Sequence, residues 1–131
     1  MENKEKLYDA FGELVYVVAM ADGIIQPEEK KALHKIIQEH PWASEIEWSF
    51  NYEVEKHQDI DYLYKRVLDA CHQNGPDPEY QFLIEILETV AQASSHTDDE
   101  KKIIDKFTHE LTERFKKDID KLNAKDEEEE E

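Results

Sequence analysis

The segment Leu14-Val15-Tyr16-Val17-Val18-Ala19-Met20-Ala21 decides the fold class, because eight consecutive apolar residues suit either a buried strand or a helix covered on every side. Leu7, Phe11, Leu14, Val18 and Ala21 recur at steps of three and four, the stripe of one helix face. That stripe runs unbroken into the apolar stretch, so a single helix over about residues 4–21 is predicted to enter the core. Asp22-Gly23 ends it, since glycine readily supplies the left-handed turn past a helix terminus.

Working outward, a second helix is predicted from Pro27, a favoured first helical position. It carries Ala32, Leu33, Ile36 and Ile37 and stops by Pro41. Residues 42–57 hold Trp42, Ile46, Trp48, Phe50, Tyr52 and Val54, read as one or two short helices with aromatic anchors. Asp59 suits the cap of a helix through about Gln73, with Leu63, Val67, Leu68 and Cys71 on its apolar side. Asn74-Gly75-Pro76 ends that helix, and Asp77-Pro78 restarts the chain as cap and first position. Phe82, Leu83, Ile86, Leu87, Val90 and Ala91 form the next stripe, which Ser94-Ser95-His96 interrupts. A long last helix then carries Ile103, Ile104, Phe107, Leu111, Phe115, Ile119 and Leu122.

The expectation is an all-α chain of six to seven helices, with residues 1–123 as one domain and 124–131 as a disordered acidic tail. Only 3 glycines and 4 prolines occur in 131 residues, too little turn chemistry for many short strands. The formal net charge is −17; Asp126–Glu131 contributes six negatives, leaving −11 on the remainder. Phosphate binding needs a basic patch, so nucleic acid is excluded as a partner, and cations or basic protein surfaces are favoured. No apolar run approaches the roughly 18 residues of a membrane span, so no direct membrane insertion is expected. The charged amino terminus and the single cysteine, Cys71, fit a cytoplasmic protein without disulfides.

A helix–loop–helix pattern occurs twice. Val18-Ala19-Met20-Ala21, a loop and Glu29-Lys30-Lys31-Ala32-Leu33-His34-Lys35-Ile36 correspond to Val90-Ala91-Gln92-Ala93, a loop and Glu100-Lys101-Lys102-Ile103-Ile104-Asp105-Lys106-Phe107. The two copies predict a pseudo-symmetric core of paired helices.

Within the first copy, Ala19-Met20-Ala21-Asp22-Gly23-Ile24-Ile25-Gln26-Pro27-Glu28-Glu29 resembles the A-x-A-D-G-x-I-x-x-x-E signature of the tellurite-resistance TerB family, found also in DnaJ-like co-chaperones. The resemblance spans about residues 5–115, although its specific motif covers eleven. It implies a helical, non-enzymatic module of stress response that acts through protein assemblies, with Asp22 and Glu29 in acidic loops suspected of binding metal. The second copy departs from the signature: Ser94 and Ser95 stand where family members often keep Asp-Gly. His40-Pro41-Trp42 is not the His-Pro-Asp of a J-domain.

Two accounts of the acidic loops remain open. Asp22, Glu28 and Glu29 flank a tight loop and offer hard oxygen ligands for Ca²⁺ or Mg²⁺, with Asp98, Asp99 and Glu100 a weaker second set and His96 a softer neighbour. Alternatively these residues only start helices. Thr97-Asp98-Asp99-Glu100 matches a capping box, and Gln26-Pro27-Glu28-Glu29 repeats its register with a poorer cap. In that case the chain is a purely structural or interaction domain without metal. Trp42, Trp48, Phe50 and Tyr52 are the densest aromatic cluster, suited to core packing or, where exposed, to a partner surface. No zinc framework, glycine-rich phosphate loop or nucleophile motif is present, and Cys71 on an apolar stripe reads as a buried thiol. The chain is therefore read as a non-enzyme.

Overall fold

The computed structural model describes the backbone of residues 2–21, 23–94 and 97–130, and the side chains of residues 4–21, 23–94 and 98–122. Among the described residues the chain is all-helical, with six helices: α1 (Glu2–Ala19), α2 (Pro27–Ile37), α3 (Ala43–Lys56), α4 (Ile60–Asn74), α5 (Glu79–Gln92) and α6 (Thr97–Glu130).

The ambiguous apolar run resolves as the second half of α1, and every residue from Leu14 to Ala19 is at most 1% exposed. A strand would need partners on both edges. A helix satisfies its own backbone, so it can be covered all round, here by α3, α4, α5 and α6. Each large side chain buried this way contributes about 1.5–3 kcal/mol of transfer free energy. The remaining helices contribute one face each, including Leu33 and Ile37 from α2, Ile46 and Phe50 from α3, Leu63 and Val67 from α4, Ile86 from α5 and Phe107 from α6.

Local chemistry sets the helix ends. Asp59 Oδ2 accepts from the Tyr62 amide at 3.1 Å, the expected cap of α4. Asp77 Oδ1 accepts from the Glu79 amide at 3.0 Å, holding the entry to α5. Gly75 ends α4 at a positive φ of 86°. Residues 42–57 form one helix, not two, and His57 closes it in the left-handed conformation, its amide donating to the Glu53 carbonyl.

The connection between α2 and α3 is pinned by a polar cluster. Glu79 Oε1 accepts from Tyr8 Oη at 2.5 Å and faces His40 Nε2 at 2.7 Å. His40 Nδ1 accepts from the Trp42 amide at 3.0 Å, which places the ring proton on Nε2. Trp42 stacks on Tyr8 and His40 stacks on Phe82, so the cluster is capped by rings on both sides.

Two features of α6 differ from the sequence reading. Its buried stripe ends at Leu111, with Phe115 half-buried, while Ile119 and Leu122 stand 56% and 62% exposed because the helix outruns the body. Its helical backbone continues to Glu130 rather than ending near residue 123; Ala, Lys and Glu all have high helix propensity. The two sequence copies pack differently. α2 lies on α5 and α3, whereas α6 lies on its own partner α5 and also on α4 and α1.

Candidate functional site

Residues of the two acidic loops divide by depth. Glu29 is fully buried, and its Oε1 accepts from the Gln26 amide at 2.9 Å, the bond that a carboxylate at the third helical position makes in a capping box. Glu28 is exposed on the first turn of α2. Asp98 and Asp99 are exposed in the first turn of α6, while Glu100 is fully buried. Asp22 and His96 lie outside the described residues. Among the described residues these carboxylates do not gather into a group of three. Cys71 is buried, and burial pushes its thiol up to about 12, far from a nucleophile's range.

The aromatic cluster also divides. Phe50 is 1% exposed and Trp42 packs against the core, so both are structural. Trp48 and Tyr52 are 60% and 41% exposed. They stack on one another one helical turn apart, with centroids 5.3 Å apart and planes at 27°, and Lys56 lies 5.7 Å from the Tyr52 ring centre. Two large rings ordered against each other in water cost apolar hydration unless something covers them.

Beside these rings, α1 and α3 bring together acidic stripes that the sequence reading did not single out. Glu5, Asp9 and Glu13 follow one another at steps of four along α1; Glu45, Ser49 and Glu53 do the same along α3. Gly12 lets the two helices touch. A Cβ placed there would overlap the Ile46 carbonyl oxygen and stand 2.7 Å from Ser49 Cβ. Ser49 Oγ donates to the Asp9 carbonyl oxygen at 2.6 Å across this contact. The close approach sets like charges face to face, which is destabilising unless protons or cations intervene.

Compensation along this seam is partial. Glu53, 2% exposed, accepts from Gln58 Nε2 at 3.0 and 2.9 Å on its two oxygens. At the other end, ligand oxygens of Glu5, Asp9 and Glu45 all lie within 4.8 Å of one another. Burial, then a hydrogen bond and repulsion from Glu45, push Asp9 up to about 7, so Asp9 keeps its proton below neutrality. Glu13, 5% exposed, is raised by burial; Arg66 opposes the shift and Glu53 adds to it. Arg66 approaches Glu13 Oε1 only to 3.5 Å, beyond ordinary hydrogen-bond length, and Glu13 Oε2 is buried without a hydrogen-bond partner among the described residues.

Asp9, Glu13, Glu53, Gln58 and Arg66, together with Trp48, Ser49 and Tyr52, line a recess of ≈370 Å³ between α1, α3 and α4. The volume lies within the roughly 300–1,000 Å³ typical of ligand pockets. The stepwise spacing of the acids on α1 and α3 was legible, but their opposition across Gly12 depends on tertiary packing. Comparison with protein-family models, curated proteins and solved structures gives no match to this chain.

Proposed function

We propose that this chain is a non-enzymatic interaction module whose working face is the α1–α3–α4 seam and whose partner is a basic protein surface. The observation that carries this reading is the exposed Trp48–Tyr52 stack set beside buried carboxylates. Aromatic anchors next to unbalanced charge are the composition of an interface hot spot, and the overall charge of −17 steers basic partners toward the chain. Likeness of Ala19–Glu29 to the TerB signature supports placing the module in a stress-response assembly. Glu29 belongs to the structural account of the acidic loop, because its carboxylate accepts from the Gln26 amide. A divalent cation at Asp22, Glu28 and Glu29 is the second reading, resting on the same resemblance.

NMR shift mapping with deca-lysine and, separately, deca-glutamate tests the working face. Deca-lysine is expected to move Trp48, Tyr52 and Glu53 most, in a salt-dependent manner, and deca-glutamate to move nothing. Shifts spread evenly over the acidic surface would overturn the assignment of this face.

A further inference from the structure

We infer that His40 is a proton-operated clasp on the entry to α3: neutral, its ring holds the Trp42 amide, and protonated, it stays on Glu79 and lets that amide go. The inference is independent of the interaction reading above and uses none of the residues of the seam.

Bond chemistry supplies the first argument. A backbone amide can only donate, so the 3.0 Å contact between the Trp42 N–H and His40 Nδ1 requires a lone pair on that nitrogen. The single ring proton is then on Nε2, which donates it to Glu79 Oε1 at 2.7 Å. Nδ1 is therefore the ring atom left to take a second proton. Once it does, two N–H groups face each other, and the Trp42 amide has no other acceptor among the described residues. An unpaired donor at a half-buried position favours movement that brings it to water.

The ring itself is held from other directions. Its side chain is 14% exposed and stacks on Phe82, with centroids 4.6 Å apart and planes at 9°. The titratable groups that meet it are Tyr8 of α1 and Glu79 of α5. The Tyr8 hydrogen bond holds Glu79 below the usual carboxylate range, with burial opposing and His40 adding to the shift, so Glu79 is still an anion when the ring gains its charge. Asp77 acts on Glu79 from the turn before α5 and is itself bonded to Lys4 of α1 at 3.0 Å. Along the chain the charged neighbour is the exposed Glu39. A charged ring thus binds Glu79 more strongly, through a charge-assisted bond, and the neutral bond to Trp42 is the one that yields.

Trp42 carries the consequence to α3. It precedes Ala43, the first residue of that helix, and its carbonyl accepts from the Ile46 amide at 3.1 Å. Its indole stacks on Tyr8 with planes at 11°. Freeing its amide therefore loosens the first turn of α3 and the ring stack together. Histidine is the side chain that ordinarily changes charge between about pH 5 and 8, so mild acid operates the clasp. His34 and His72 also face carboxylates, at 2.8 and 2.7 Å, but neither accepts from an amide among the described residues.

The test is NMR of the full chain from about pH 8 to about pH 5, following the histidine ring nitrogens and the exchange of the tryptophan amides against deuterium. His40 is expected in its Nε2–H form at the upper end and to gain a proton at Nδ1 on acidification. Over the same range the protection of the Trp42 amide, corrected for the intrinsic pH dependence of exchange, should fall at least about threefold, while that of Trp48 holds constant. His40→Asn keeps an acceptor oxygen in place of Nδ1 and cannot titrate, so Trp42 protection should lose its pH dependence; a response that came from Asp9 would persist. A proton on Nδ1 at the upper end, a ring still neutral at the lower end, or a ring that gains its charge without moving Trp42 would each overturn the clasp. So would equal falls at Trp42 and Trp48, or a pH response retained in His40→Asn. If His40→Asn does not fold, the ring and amide titrations of the wild-type chain decide alone.

Discussion

A Cβ added to Gly12 would stand 2.7 Å from Ser49 Cβ and 2.9 Å from the Phe50 amide nitrogen. No real Cβ tolerates such distances to a neighbouring backbone, so α1 and α3 meet at a spacing only glycine permits. The Ser49 hydroxyl bonded to the Asp9 carbonyl lies on the same line of contact. This contact is what sets two acidic stripes against each other.

Gly12→Ala therefore tests the seam itself. Alanine gains about 1 kcal/mol of helix propensity, but the overlap with α3 backbone costs about 1–3 kcal/mol. A net loss is expected, read as a lower urea midpoint with an unchanged slope. A higher midpoint would mean that α1 and α3 separate without cost.

Asp9→Asn addresses the cost of the opposed acids. Asp9 is raised from 3.8 to about 7 in the folded chain, so between these values the folded state holds a proton the unfolded state has lost. Its contribution to stability is present below pH 4 and disappears as pH rises through 7. The charges facing it are Glu5 and Glu13 on α1 and Glu45 on α3. Unfolding of the wild-type chain at several pH values should show this decline, and the asparagine variant should lack it. Parallel pH profiles would remove Asp9 from the account.

Aromatic residues of α3 and its entry should separate cleanly by mutation. Trp48→Ala is expected to change stability by no more than about 0.5 kcal/mol, as at other exposed sites. Phe50→Ala, at a 1% exposed position, should cost about 3–5 kcal/mol. Comparable losses at both positions would place Trp48 in the core and remove it from any partner surface.

The acidic loop makes a further prediction. If Glu29 caps α2, Glu29→Gln keeps an acceptor for the Gln26 amide, and Glu29→Ala is the more destabilising of the two by about 0.5–2 kcal/mol. Thermal melts should then be insensitive to Ca²⁺ and Mg²⁺. A saturable rise in Tm with either ion, abolished by Asp22→Ala, would instead establish the cation reading of this loop.

The apolar run Leu14–Ala19, the cap at Asp59 and the break at Gly75 were readable along the chain, because each depends on a local rule: periodicity, a side-chain acceptor near free amides, or a positive φ. Glu29 in a helix-start register was readable for the same reason. Residues 42–57 were harder, since aromatic residues there serve the core and the surface alternately. Phe50 and Trp48 are two positions apart and end in opposite environments because a helix turns by about 200° over two residues.

The all-helical class, a count of six to seven helices, the buried course of α1 and the exclusion of a membrane span followed from the sequence alone, since hydrophobic spacing and turn residues act over one or two helical turns. Which acids face which was decided only in three dimensions. Glu13 and Glu53 are forty residues apart, and nothing local relates them; the α1–α3 contact at Gly12 does. Burial then raises Glu13, ties Glu53 to Gln58 and leaves one Glu13 oxygen closed off from water without a hydrogen-bond partner among the described residues, because the energy of a charge is set by its distant neighbours and by the water that tertiary packing removes.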